Sequence, residues 1–254
     1  MDDLEVARAA AAAASEIIRA RLAGPAEYKG PVDPVTAADR EAEAAITRVI
    51  GSHRPKDGLL AEEGTGIRSE TGRRWVVDPL DGTVNFLHGV PQVAVSIALE
   101  VEGEPVVGVI RDPYRDEEFT VSQGGGARLN GQPITVSATH TLAEALVSTG
   151  FAYDRQQRAV EYTRVVAAVL EVAQGVRRLG SAALDLCWVA CGRYDGHWEV
   201  RLSPWDVAAG ILLVREAGGT VTASDGGPAS HQDLVATNGL IHEDLRQVVR
   251  AAMG

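Results

Sequence analysis

The stretch Asp78-Pro79-Leu80-Asp81-Gly82-Thr83 decides how the rest of this chain is interpreted. The apolar run Trp75–Val77 leads into two aspartates three residues apart. Pro79 between them predicts that a strand ends near Asp78, because proline cannot donate a hydrogen bond to a sheet ladder. The glycine and threonine that follow offer backbone amides at the start of a short predicted helix over 84–88. Two carboxylates suit a hard cation and exposed amides suit a phosphate oxygen, although an ordinary Asp-Pro turn is the structural alternative.

Further segments extend this pattern along the chain. They read Val32-Asp33-Pro34-Val35-Thr36-Ala37-Ala38-Asp39, Leu60-Ala61-Glu62-Glu63, Val84-Asn85-Phe86 and Trp205-Asp206-Val207-Ala208-Ala209-Gly210. With the central hexapeptide, and in this order, they resemble the signature blocks of the inositol monophosphatase family. Because the blocks span nearly the whole sequence, the chain is identified as a member of that family by resemblance.

The resemblance implies an α+β fold, a layered α/β/α/β/α sandwich of the sugar-phosphatase (inositol monophosphatase and fructose bisphosphatase) type. Residues 1–254 would form a single unit, since no linker is long enough to separate independent domains. Residues 1–140 would be an N-terminal α+β half with most of the metal ligands. Residues 141–254 would be a C-terminal α/β half with Asp206 and the substrate pocket.

Hydrophobic periodicity and breakers predict the individual elements. Helices are expected at 3–22, from Thr36 onward, and at Arg158–Val172, Ser181–Cys191, Pro204–Ala217 and Glu243–Met253. Strands are expected at Leu59–Ala61, Val93–Val101, Pro105–Asp112, Glu117–Ser122, Val176–Leu179, His197–Val200, Thr220–Thr222 and Leu234–Thr237. Glu27–Pro34 is predicted to be a loop because it contains two prolines, and Asn130-Gly131 predicts a hairpin turn.

Composition and charge narrow the class of protein. The 254 residues are 45% hydrophobic and 23% charged, and no apolar run approaches the roughly 18 residues of a membrane span. A net charge of −11 argues against nucleic acid as the principal partner, but bound divalent cations could still let an acidic cleft accept a phosphorylated small molecule. No signal-peptide pattern surrounds the alanine tract Ala9–Ala14. Cys187 and Cys191 are predicted to be free thiols, which is typical of a reducing compartment. We therefore expect a cytoplasmic protein.

Phosphate-monoester hydrolysis is extremely slow in water, and a pair of divalent ions is a common way to accelerate it. The resemblance implies two to three Mg²⁺ ions bound by oxygen ligands. Glu62, Asp78 and the Leu80 carbonyl would hold the first ion. Asp78, Asp81 and Asp206 would hold the second, and Glu62 would also orient a weaker third. The six histidines are scattered and suggest no histidine metal site.

The resemblance also implies roles in catalysis and substrate binding. Thr83 and Asp39 would position the attacking water, with Glu62 as base, and the Gly82 and Thr83 amides would meet phosphate oxygens. Substrate contacts would come from Ser181, Ala182, Glu199 and Asp206. Structural alternatives stay open at three positions: Asp39 could be a capping-box acid, Glu199 an exposed strand acid and Trp205 a packing residue. Lys29 resembles a loop lysine near the metal site, but its spacing to Asp39 is one residue shorter than in relatives.

The expected activity is therefore Mg²⁺-dependent hydrolysis of a small phosphorylated polyol, foremost myo-inositol 1-phosphate. Histidinol phosphate, fructose 1,6-bisphosphate and 3′-phosphonucleotides are alternative substrates, because enzymes that act on them share the metal-binding acids. The resemblance further implies a homodimer and inhibition by lithium. It also leaves open a second role as a binding partner of the transcription machinery.

Overall fold

The computed structural model describes residues 1–21, 25–30 and 33–254, which form seven α-helices and fifteen strands. The helices are α1 (Asp3–Ala20), α2 (Ala37–His53), α3 (Thr83–Leu87), α4 (Arg155–Leu170), α5 (Ala182–Ala190), α6 (Pro204–Glu216) and α7 (His242–Met253). The strands are β1 (Glu27–Gly30), β2 (Asp33–Val35), β3 (Gly58–Ala61), β4 (Gly66–Ile67), β5 (Arg73–Asp81), β6 (Ala94–Val101), β7 (Glu104–Asp112), β8 (Glu117–Ser122), β9 (Gly126–Leu129), β10 (Gln132–Pro133), β11 (Leu146–Thr149), β12 (Gly175–Arg177), β13 (Gly196–Val200), β14 (Thr220–Thr222) and β15 (Asp233–Thr237).

These elements stack in five layers. Helices α1 and α2 cover one face of an eight-stranded sheet of order β10-β9-β8-β7-β6-β5-β3-β4. Helices α5 and α6 fill the space between that sheet and a five-stranded sheet of order β12-β11-β13-β15-β14. Helices α4 and α7 cover the outer face of the smaller sheet. The predicted α+β layered sandwich is therefore confirmed.

The central helices are apolar on nearly all sides because both of their faces are buried. Seven of the nine residues of α5 are apolar and buried, among them Leu184, Leu186 and Cys187. The core around α5 and α6 lies between the two sheets, while separate cores lie under α1 and α2 and under α4 and α7. Both cysteines are free thiols as predicted, and Cys191 is only partly buried.

Two expectations about strands were wrong. Strand β5 continues past Asp78 to Asp81, because a bulge accommodates Pro79 and pairing with β6 resumes at Asp81 opposite Ala94. The segment predicted as a loop instead contains the antiparallel strands β1 and β2, with Pro34 facing Tyr28. Proline is tolerated there because a two-stranded ribbon consists only of edge strands.

Most other predicted elements are confirmed to within a few residues, including α2 with Thr36 as its N-cap and the Asn130-Gly131 hairpin between β9 and β10. The predicted end of the first helix at Leu22 and the residues Pro31 and Val32 lie outside the described residues. Strands β4 and β11 have no counterpart in the prediction. Within residues 1–21, 25–30 and 33–254, none of the helices has the length and apolar character needed to cross a membrane.

The close approach of α5 and α6 can be tested at Gly210, which is buried in α6. A Cβ placed there would lie 2.4 Å from Leu186 Cδ1 and 2.7 Å from Leu186 Cβ. We expect Gly210→Ala to lower the free energy of unfolding by about 1–2 kcal/mol in urea titrations, because overpacking outweighs the gain in helix propensity. The control is Gly51→Ala in α2, where a Cβ meets nothing within 4 Å. It should raise the free energy of unfolding by about 0.5–1 kcal/mol, and equal gains for both variants would contradict this account of the packing.

Candidate active site

A cleft of about 360 Å³ opens where the ends of several strands meet the first turns of three helices. The N-terminal residues of α3, α5 and α6 all line it, represented by Thr83, Ala182 and Asp206. Helix N-termini carry partial positive charge, so this arrangement favours anions even though the cleft contains many acids.

The central hexapeptide forms one wall of the cleft. The β5 bulge turns Asp78 inward, where its Oδ1 accepts a hydrogen bond of 2.9 Å from the Leu80 amide. Gly82 then adopts φ 97°, in the left-handed region that favours glycine. A Cβ at this position would also lie 2.7 Å from the Gln92 carbonyl oxygen. Both constraints fix the start of α3 at Thr83, one residue earlier than predicted.

Glu62 comes next to Asp78 because β3 and β5 are parallel neighbours. Ala61 lies opposite Val77, and the Glu62 amide donates to the Val77 carbonyl at 3.2 Å. The charges of Glu62 and Asp78 oppose each other at close range, and burial and then the charge of Glu62 raise the pKa of Asp78. Burial raises the pKa of Glu62 to about 7 against the opposing charge of Lys29.

Asp81 and Asp206 complete the acidic group. Asp81 Oδ2 accepts hydrogen bonds from Ser181 Oγ at 2.7 Å and from the Ala183 amide at 2.8 Å. Burial nevertheless raises the pKa of Asp81 to about 6. Asp206 accepts from the Ser203 amide at 2.7 Å in the capping box of α6. Burial and then the charge of Asp81 raise the pKa of Asp206 well above its usual value.

The four acids of this group fit a site that binds cations. Burial and then the charges of Glu62, Asp81 and Asp206 raise the pKa of Asp78, which shows that the four acids repel one another. Divalent cations would remove that repulsion, and oxygen donors are what Mg²⁺ prefers. Among the described residues, no group of three or more His, Cys, Asp or Glu side chains lies close enough together to hold a metal ion by itself. That result is compatible with Mg²⁺, which usually retains several waters and needs only one or two carboxylates.

Thr83 and Asp39 meet beside the acidic group. Thr83 Oγ1 donates to Asp39 Oδ1 at 3.0 Å and lies 3.2 Å from the Leu80 carbonyl oxygen. Asp39 also accepts from Thr36 in the capping box of α2. Asp39 is therefore a capping-box acid that also accepts a hydrogen bond from Thr83. Burial raises the pKa of Asp39.

Lys29 lies at the edge of the acidic group despite its unusual sequence spacing. Its Nζ is 2.6 Å from Glu63 Oε1 and 3.5 Å from Glu62 Oε1. The β1–β2 pairing, which the sequence did not predict, brings this lysine to the cleft. Lys29 therefore acts electrostatically on Glu62, and it lowers the pKa of that acid relative to burial alone.

The opposite wall of the cleft comes from α5 and the smaller sheet. It includes Ser181, Ala182 and Glu199, together with Trp205, which also packs against the central core. Glu199 is 6% exposed, so the alternative that it is an exposed strand acid is wrong.

Sequence reasoning missed four charged residues that line the cleft, which are Arg155, Arg178, Asp185 and Arg201. Asp185 was detectable as an acid in the first turn of an otherwise apolar helix. Arg178 stands two residues before Gly180 and carries no comparable signal.

Comparison with known proteins relates the whole chain to a single family. The model of the inositol monophosphatase family matches residues 2–253. An inositol-1-monophosphatase of Rhizobium meliloti (strain 1021) is 45% identical over 225 residues, covering 87% of this chain and 85% of the relative. The solved inositol monophosphatase of Anabaena (Nostoc) sp. PCC 7120 is 43% identical with a TM-score of 0.90, covering 98% of this chain and 95% of that one. The Nus factor SuhB of Escherichia coli (strain K12) is 44% identical over 203 residues, covering 80% of this chain and 76% of the relative.

The acidic group predicts an unusual pH dependence for the metal-free protein. An acid whose pKa is raised on folding contributes stability at low pH, and that contribution is lost as the pH rises through the folded-state pKa. For Glu62 the window runs from its ordinary value of 4.5 to about 7, and for Asp81 from 3.8 to about 6. We expect the melting temperature of chelated protein to fall between about pH 5 and pH 7.5, and Mg²⁺ to flatten the profile.

Glu62→Gln should also flatten the profile of the chelated protein, because it removes one of the titrating acids. Glu171→Gln is the control, since Glu171 is an exposed acid outside the cleft. A wild-type melting temperature that rises through this range without metal would contradict the assigned pKa shifts.

Proposed function

The chain belongs to the inositol monophosphatase family, and we propose that it hydrolyses myo-inositol 1-phosphate to inositol and phosphate with the help of Mg²⁺. Its place among the inositol-phosphate phosphatases rests on the family match and on relatives that are similar over most of their length. The observation that supports the chemistry is the convergence of Glu62, Asp78, Asp81 and Asp206 on one cleft. We further propose two to three ions, a cytoplasmic homodimer and sensitivity to lithium.

The ligands follow from this arrangement. Glu62, Asp78 and the Leu80 carbonyl would hold one Mg²⁺, and Asp78, Asp81 and Asp206 would hold a second. A third, weaker ion would use Glu62. When bound, these ions would neutralise phosphoryl charge, favour deprotonation of water and stabilise the departing alkoxide. Four carboxylates and two divalent ions are together nearly neutral, so a phosphate dianion could enter.

The attacking water would be oriented by Thr83. Because Thr83 Oγ1 donates its own proton to Asp39, its lone pairs face the cleft and can accept a hydrogen bond from a water. Glu62 would take the proton of that water, because a carboxylate beside a metal-activated water can act as its general base. The water oxygen would then bond to phosphorus while the ester P–O bond breaks, the leaving alkoxide would take a proton from a solvent water, and Glu62 would return its proton to solvent.

The rest of the cleft would position the substrate. The amides of Gly82 and Thr83 would donate to phosphoryl oxygens. Ser181 and Ala182 would line the sugar side, Asp206 would lie beside the reacting ester oxygen, and Glu199 would accept hydrogen bonds from ring hydroxyls. Glu199 is supported in this role by its burial in the wall opposite the acidic group.

A phosphate-release assay with Mg²⁺ tests the substrate assignment. The panel is inositol 1-phosphate, histidinol phosphate, fructose 1,6-bisphosphate and 3′-phosphoadenosine 5′-phosphate, each with and without exhaustive chelation. We expect the highest kcat/KM on inositol 1-phosphate and no turnover after chelation. A preference for another ester would reassign the substrate, and full activity after chelation would refute the metal mechanism.

The Nus factor relative supports a second candidate role, binding to the transcription machinery. This role does not require turnover, so affinity capture with wild-type protein and with Asp81→Asn would separate the two activities. Equal recovery of transcription proteins by both forms would support the second role, and recovery by neither would exclude it.

Asp81→Asn should remove one charge from the second ion while preserving the shape of the side chain. We expect kcat to fall at least about 10²-fold, the range of a lost electrostatic contact in catalysis. Folding should persist, because the substitution relieves repulsion with Asp206. Asp195→Asn serves as the control, since Asp195 is a buried acid that accepts from Ser137 and Leu146 outside the cleft. A near-normal rate for Asp81→Asn at saturating Mg²⁺ would mean that the hexapeptide is only a turn.

Glu199→Gln should affect selectivity rather than chemistry. Charge-assisted hydrogen bonds to substrate hydroxyls are worth roughly 10- to 150-fold, so kcat/KM for inositol 1-phosphate should fall within that range. An aryl phosphate has no ring hydroxyls and should be hydrolysed almost as before. Equal losses on both substrates would instead assign Glu199 to the fold or the metal site.

A further inference from the structure

Glu199 borders two cavities, so its carboxylate must be directed towards one of them. On one side is the main cleft, and on the other is a smaller cavity of about 80 Å³ between β13 and α4. Guanidinium groups line both cavities: Arg155, Arg178 and Arg201 line the main cleft, and Arg164 and Arg201 line the smaller cavity. Because both sets would attract a carboxylate, charge alone does not decide which way the Glu199 carboxylate faces. Hydroxyl recognition therefore depends on whatever keeps the Glu199 side chain facing the cleft.

One constraint is the absence of a side chain at Gly150. A Cβ placed on Gly150 would lie 2.0 Å from Glu199 Oε1 and 2.3 Å from Glu199 Cδ, so the carboxylate occupies the space that a side chain would fill. The φ angle of Gly150 is not positive, so its backbone conformation would be allowed for residues other than glycine. Glycine is required at position 150 because any larger side chain would occupy the space of the Glu199 carboxylate, and not because the backbone needs the conformational freedom of glycine.

The second constraint is the imidazole of His197, which is fully buried two residues before Glu199 on the same face of β13. His197 Nε2 lies 3.5 Å from Glu199 Oε2 and has no hydrogen-bond partner among the described residues. His197 Nδ1 lies 3.0 Å from Ser148 Oγ, on the neighbouring strand β11. In the tautomer in which Ser148 Oγ–H donates to Nδ1, the imidazole proton is on Nε2, the ring nitrogen that lies 3.5 Å from Glu199 Oε2.

Asp185 approaches the same ring from α5, with its Oδ2 3.9 Å from His197 Nδ1. Burial and then the charge of Glu199 raise the pKa of Asp185, which favours its uncharged form. An uncharged Asp185 places no like charge beside Glu199, so the imidazole proton is not drawn away from the Glu199 carboxylate.

We infer that His197, oriented by Ser148, is a positioning residue that holds Glu199 against Gly150 on the hydroxyl-binding wall, and thereby sets selectivity for polyol phosphates. The inference rests on the role proposed above for Glu199. It adds that selectivity is determined by residues of β11 and β13 that touch neither the substrate nor the metal ligands.

The experiment measures kcat/KM on inositol 1-phosphate and on an aryl phosphate, and reports their ratio, alongside thermal melting of each variant. His197→Phe should lower the ratio by about 10-fold, the lower end of the range for a hydrogen bond to a charged group, mainly through KM for inositol 1-phosphate. His197→Gln keeps an amide donor of similar reach and should restore most of the ratio. His242→Phe is the matched control, because His242 is a buried histidine hydrogen-bonded to Thr222 and Thr237 away from the cleft. It should lower stability without changing the ratio.

Gly150→Ala tests the same inference by another route and covers the case in which His197→Phe fails to fold. It should lower the ratio as far as Glu199→Gln does, because the added Cβ displaces the carboxylate. In a Glu199→Ala background the same substitution should have no further effect on the ratio. Gly175→Ala is the control, since a Cβ there meets Arg177 and Leu146 at ordinary contact distances of 3.4 and 3.5 Å.

The outcomes separate the two levels of the argument. If Glu199→Gln leaves the ratio unchanged, the hydroxyl-binding role fails and the inference falls with it. If Glu199→Gln lowers the ratio while His197→Phe, His197→Gln and Gly150→Ala do not, the role of Glu199 stands and only the positioning inference is overturned. Equal losses on both substrates in the His197 and Gly150 variants would also overturn it, because they would indicate a structural role.

Discussion

The arrangement of the cleft depends on the bulge that Pro79 introduces into β5. A regular strand would place alternate side chains on opposite faces of the sheet, and Asp78 and Asp81, three residues apart, would point in opposite directions. The bulge lets both aspartates face the cleft while the ladder with β6 resumes at Ala94. The same bulge brings like charges together in a buried place, which destabilises their charged forms. Burial raises the pKa of both Asp78 and Asp81 for this reason, and neighbouring acids add to the shift. A site built in this way is least stable when empty, so binding of cations and folding stabilise each other.

The layered architecture provides hydrogen-bond donors for the buried acids. The Ala183 amide in the first turn of α5 donates to Asp81, and the amide of Ser203, the N-cap of α6, donates to Asp206. These donors partly offset the repulsion and fix the orientation of each carboxylate before any ion arrives. Because α5 and α6 lie between the two sheets, their N-termini can reach acids on the larger sheet while their bodies pack in the central core. The apolar character of the central helices and the polarity of the cleft are therefore consequences of a single packing arrangement.

The sequence predicted the parts of the protein whose signal is local. The capping box at Thr36 and Asp39 and the Asn-Gly hairpin are patterns of adjacent residues, and both occur where expected. The β1–β2 pairing was missed because its prolines read as breakers, although an edge ribbon tolerates them. The resemblance suggested that Lys29 lies near the acidic group, but its contacts with Glu62 and Glu63 depend on that ribbon and were not predicted. Gly150 and His197 carry no signal at all, because their significance lies in the distance to Glu199 across a sheet.

The two walls of the cleft come from different sheets, and this separation has a consequence for substrate choice. Glu62, Asp78 and Asp81 belong to β3 and β5 of the larger sheet, or directly follow them, whereas Glu199 and the residues that orient it belong to the smaller one. Moving a metal-binding acid by one ångström disturbs every step that depends on its charge. Repacking β11 and β13 moves only the groups that face the alcohol. With the role proposed for Glu199, substitutions around it would change which phosphate ester is preferred while the acids of the larger sheet keep their arrangement.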